Sequence, residues 1–199
     1  MPYQERKFNI PEINGISKKT IEEHLKLYAG YVKHTNLILE KIKEYSTDIE
    51  KNGYAINELQ RRFAFEFDGM RNHEYYFEQL EGGVPETFNM EGAIYKQIEK
   101  DFGSTDAWYK DFQRLALTRG IGWAVLLWDR KEKRLLHAWI DEQHLGHLNG
   151  LDFIYGIDMW EHSYLFDYTP ADKIKYIESY MKACNPSVYE KRFEEAVSK

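Results

Sequence analysis

Of the seven histidines in the chain, His162 has the setting most suited to chemistry. Asp158 and His162 stand four residues apart in DMWEHSYLFDY, residues 158–168. If this stretch winds as a helix or a tight turn, carboxylate and imidazole face the same way. Such a pair is half of a binding site for a first-row transition metal. The same spacing also serves an ordinary structural hydrogen bond, so the pair needs further ligands from elsewhere. A second histidine pair, His144 and His147 in HLGH, lies in a glycine-containing stretch and reads as loop rather than as a separate site.

The elements that must position these groups follow from periodicity. Ser17 reads as an N-cap, and from Thr20 to about Tyr45 apolar residues recur at helical spacing (Ile21, Leu25, Tyr28, Val32, Leu39, Ile42). Asn52-Gly53 marks a turn, and a second long helix is expected from about Ile56 to Leu80, making an α-hairpin. GGVPETFNMEG, residues 82–92, has linker composition. Helices are expected from Ala93 to Phe102 and, after Ser104, to about Thr118. WAVLLW (123–128) and LLHAWI (135–140) flank the charged turn DRKEK as an antiparallel hairpin, LDFIYGID (151–158) is a third strand, and the tail from Ala171 is helical again. The fold class is therefore α+β. A long α-hairpin domain (1–86) precedes an α/β domain (87–199) with a small three-stranded antiparallel sheet flanked by helices.

Composition narrows the function classes. The 43% hydrophobic and 16% aromatic content supports a packed core. No apolar run approaches the roughly 18 residues of a membrane span, and the polar start lacks a signal-peptide core, so no membrane association is expected. A net charge of -6 argues against nucleic acid as a partner. The single cysteine, Cys184, excludes an internal disulfide and points to a reducing, cytoplasmic setting.

DMWEHSY closely resembles the D-x-W-E-H-A-Y signature of the iron and manganese superoxide dismutases, with Trp160 and Glu161 raising its specificity above D-x3-H. TIEEH (20–24), NHEYYF (72–77), DFGSTDAW (101–108) and GIGWAVL (120–126) resemble further landmarks of that family in the same order, over nearly the whole chain. The resemblance implies an enzyme that converts superoxide to oxygen and hydrogen peroxide. His24, His73, Asp158 and His162 would hold one Mn or Fe ion per chain, with solvent as a fifth ligand. Zinc, which has no redox chemistry, could not serve. The family tunes its metal with a glutamine on the bound solvent. Gly69 and Gln143 match the manganese-type placement of that glutamine, with His144 as the neighbouring alternative. Tyr31 resembles the family's gateway tyrosine, although it follows His24 by one residue fewer than usual. Tyr76, Trp123 and Trp160 would wall the site. Glu161 would pair with the ligand histidine of the partner subunit in a homodimer.

The chain also departs from the family pattern. Tyr28 and Leu165 replace a histidine and a tyrosine that meet at the substrate channel, Phe77 replaces a tryptophan, and Asn185-Pro186 replaces Asn-Trp. These changes raise an alternative: a catalytically impaired, dismutase-like metal-binding dimer. Lys26 and Lys173 fall near positions where the family keeps basic residues, and each also reads as a solvated surface lysine.

Overall fold

The computed structural model describes residues 1–87 and 91–199, so part of the linker expected over 82–92 lies outside the described residues. The elements run α1 (Lys18–Tyr45), α2 (Ile49–Glu78), α3 (Ala93–Phe102), α4 (Thr105–Ala116), β1 (Gly122–Asp129), β2 (Arg134–Asp141), β3 (Leu151–Asp158), short 3-10 turns at Glu161–Ser163 and Pro170–Asp172, α5 (Lys173–Ala183) and α6 (Pro186–Val197). The class is α+β, as expected. The hairpin turn is not at Asn52-Gly53, which lies inside α2. The turn falls at 46–48 instead. Asp48 caps α2 by accepting from Lys51 N at 3.1 Å, and Asn52 Nδ2 donates back to Tyr45 O at 3.2 Å. Asn52 therefore serves the turn from within the helix, and a cap outweighs the local preference of Asn-Gly. At the other end of the hairpin Ser17 caps α1 as expected, accepting from Thr20 N.

The sheet is antiparallel with order β2-β1-β3. Trp123 at the start of β1 pairs with Asp158 at the end of β3, and a register shift between Leu126 and Leu127 puts a bulge opposite them at residue 154. Two residues on, the Gln79 side chain brackets the Gly156 backbone, donating to its O at 2.8 Å and accepting from its N at 3.0 Å. This ties the end of α2 to the strand that delivers Asp158. One hydrophobic core runs through both halves, from Tyr28 and Phe77 in the hairpin to Trp123, Ile157 and Tyr180 beyond it. Arg192 on α6 reinforces that contact by donating to Tyr75 O at 2.8 Å and to Glu78.

Candidate metal centre

Four segments converge on one buried point. His24 is on α1, His73 on α2, Asp158 ends β3, and His162 sits in the 3-10 turn just after it. Their ligand atoms all lie within 4.8 Å of one another. Asp158 Oδ2 is 3.0 Å from His24 Nε2, 3.1 Å from His162 Nε2 and 3.6 Å from His73 Nε2. Asp158 and His162 meet through a turn rather than along a helix: Trp160 is extended, and the chain tightens only at Glu161. Trp160 N donates to Asp158 Oδ1 at 2.7 Å, which leaves Oδ2 facing the histidines.

The donor set has the chemistry of a metal site. His73 Nδ1 lies 2.6 Å from Gly69 O, which fixes the ring and aims Nε2 inward, where it is buried with no hydrogen-bond partner. Such an orphan is costly unless something else binds it. Burial, with the nearby His24, pushes the His73 pKa well below its ordinary value, and burial also lowers that of His24 against the pull of Asp158. Burial would raise the Asp158 pKa, but the charge of His162 and hydrogen bonds from His162 and His24 outweigh it and hold the group below the usual carboxylate range. For His24 and His73, lowered pKa values beside an ionised Asp158 favour the protonation states that metal binding requires. Three nitrogens and one oxygen suit iron or manganese.

Aromatic rings enclose this set. Tyr76 lies against His24 at 4.8 Å between ring centroids, Trp123 against His73 at 5.1 Å, and Trp160 stacks on His162 at 5.8 Å. Phe77 also packs on His24, at 5.0 Å. The Tyr31 ring is 5.0 Å from His73. Fully buried Gln143 links two of these walls, accepting from Trp123 Nε1 at 2.9 Å and donating to Tyr31 Oη at 3.0 Å. His144 turns elsewhere, edge-on to Phe65. Gly69 lacks the side chain that would occupy Tyr31's place: a Cβ there would stand 2.6 Å from the tyrosine ring. Glu161 is exposed beside the site.

The departures from the family pattern have definite places. Tyr28 is buried, and its hydroxyl accepts from Arg6 N at 2.9 Å and donates to Glu74 at 3.2 Å. Leu165 is exposed. Lys26 pairs with Glu23, and Lys173 lies over the Tyr164 ring. Three supporting residues carried no assigned role in the sequence. Asn72 donates to Gln143 O at 2.9 Å, while Tyr176 and Ser163 donate to Asp158 O at 2.9 and 3.0 Å. Asn72 opens the NHEYYF landmark without a role of its own having been assigned, and Tyr176 had no signal.

Comparison with known proteins agrees with this geometry. Residues 90–192 match the family of iron/manganese superoxide dismutases, C-terminal domain. The chain is 32% identical to the superoxide dismutase [Fe] of Cupriavidus metallidurans, over 94% of this chain and 92% of that one. It is 33% identical to the superoxide dismutase [Fe] of Aquifex aeolicus, over 93% and 87%. It is 31% identical to the superoxide dismutase [Mn] of Mycobacterium lepraemurium, over 95% and 88%. With similarity running through both halves and four groups that could hold a metal ion brought to one point, the chain belongs to the iron/manganese superoxide dismutase family.

Proposed function

We propose that this protein is a superoxide dismutase that turns two superoxide anions and two protons into oxygen and hydrogen peroxide. The observation that carries the reading is the convergence of His24, His73, Asp158 and His162, with His73 Nε2 buried and unpartnered. An iron or manganese ion held there would supply the one-electron oxidation and reduction of superoxide. The identity of the ion belongs to the proposal, with manganese slightly favoured by Gly69 and Gln143.

The chain's own residues do the rest. Tyr76, Phe77 and Trp123, all fully buried, keep bulk water from His24 and His73. Gln143 holds a directed hydrogen-bond chain from the Trp123 indole through its amide to the Tyr31 hydroxyl. Burial, together with the charges of Asp158 and Glu66, raises the Tyr31 pKa, so its phenol stays protonated. Half-buried Tyr31 is the member of this chain that reaches solvent, and we assign it the relay of protons to the site. Exposed Glu161, Leu165 and Phe166 beside His162 offer a face to a second copy, which supports a homodimer. A buried free Cys184 supports a reducing, cytoplasmic setting.

The test is superoxide dismutation by the purified protein, with bound iron and manganese quantified in the same sample. Activity should follow one metal and fall to background, with loss of that metal, in His162→Ala. Fully metallated protein without activity would refute the reading.

A further inference from the structure

Net charge is -6, yet one groove far from the metal ligands gathers positive charge. Lys96 and Lys100 stand one turn apart on α3, Lys133 and Arg130 rise from the β1–β2 turn, and Trp128 and Phe193 contribute to the floor. No aspartate or glutamate lines this groove, whose volume is about 650 Å³. Arg130 is paired with Asp152. Among the described residues, Lys96, Lys100 and Lys133 form no ion pair, so their charge is not neutralised by a neighbouring side chain.

The groove is built on rigid parts. Gln97 Nε2 donates to Lys133 O at 3.3 Å, Asp101 accepts from Leu135 N at 2.7 Å, and Trp128 meets Phe193 edge-on at 5.0 Å. The ammonium groups of Lys96, Lys100 and Lys133 therefore come from α3 and a turn that are hydrogen-bonded together, and Lys199 also lines the groove. The fields of these exposed ammonium groups add over the groove, so an anion there is attracted by all of them at once. Superoxide steering does not account for the cluster. Trp128 is near the end of β1 opposite Trp123, and Trp123 is the residue paired with Asp158, so the groove is about 17 Å along the strand from the metal ligands. Lysine ammoniums are compact point charges on flexible stems, suited to phosphate oxygens. The volume lies within the range of small-molecule sites.

We propose that this groove binds a polyphosphate, either free or carried on a nucleoside. The site is independent of the metal centre and of the dismutase reading. The experiment is isothermal titration of the metal-loaded protein at low salt with tripolyphosphate and, separately, with ATP, in wild type and in Lys96→Gln/Lys100→Gln/Lys133→Gln. The expected result is one site per chain with Kd below about 1 mM. Binding should weaken at least about tenfold in the triple variant and fall as salt rises, while dismutase activity and melting temperature stay unchanged. Equal affinities would assign the phosphate chain alone as ligand; tighter ATP would assign the nucleoside form. No saturable binding of either compound, or equal binding by the triple variant, would overturn the proposal.

Discussion

Gln143 makes both of its side-chain hydrogen bonds to walls of the metal centre, Trp123 and Tyr31. Gln143→Ala leaves the buried Trp123 N–H without a partner, a cost of about 1–3 kcal/mol. It also frees the Tyr31 hydroxyl. Turnover is expected to fall roughly 10- to 100-fold, the usual effect of losing a group that orients a metal site, with the metal retained; pulse radiolysis alongside metal analysis checks both. Gly69 poses the converse case. A Cβ would stand 2.6 Å from the Tyr31 ring, so Gly69→Ala must displace the tyrosine or the helix. A loss of about 1–3 kcal/mol is expected by urea denaturation, with reduced turnover. Unaltered stability and rate would mean that Tyr31 yields freely and is not held in place.

At the level of elements, α2 begins where Asp48 caps it. Asp48→Ala should cost about 1 kcal/mol and leave metal content unchanged, because the cap lies at the far end of the helix from His73. In β2, His137 sits between the Phe102 and Phe112 rings with Nδ1 2.9 Å from Asp111 on α4. Burial lowers its pKa, and Asp111 offsets this only in part. The unfolded chain therefore binds this proton more tightly than the folded one. The neutral ring's contribution is present above the unfolded value of about 6.5 and is lost as pH falls through it toward the folded pKa. The melting temperature should drop between pH 7 and 5, and His137→Phe should flatten that portion of the profile.

For the molecule as a whole, we propose the division into residues 1–86 and 87–199 as topological halves rather than independently stable units. The core is continuous across them, and Arg192, Gln79 and Asn72 each bond across the boundary. Calorimetry should show one cooperative transition, and an isolated 1–86 fragment should show none. Cys184 offers a second readout. Burial pushes its thiol up to about 12, against hydrogen bonds from Tyr155 and Tyr180. Alkylation at pH 8 should be negligible in the native protein and complete in denaturant, so its rate reports opening of the C-terminal half.

Much of this was legible in the sequence, because helices and strands follow local periodicity. The α3 and β3 boundaries and the Ser17 cap depend on neighbours in the chain. The four residues that converge, His24, His73, Asp158 and His162, were legible for another reason: TIEEH, NHEYYF and DMWEHSY resemble landmarks of one family, and the resemblance names them together. The turn at Asn52-Gly53 misled because the competing cap at Asp48 and the packing of α2 on α1 are outcomes of the folded hairpin. Tyr176 and Ser163 supporting Asp158, Tyr28 turned to Glu74, and the lysine groove likewise join residues distant in sequence. By itself, then, the sequence determined most of the elements and, through the resemblance, pointed to the candidate donors. Only the tertiary structure decided which side chains share a boundary, since contact across the chain follows from how the elements pack and not from their order.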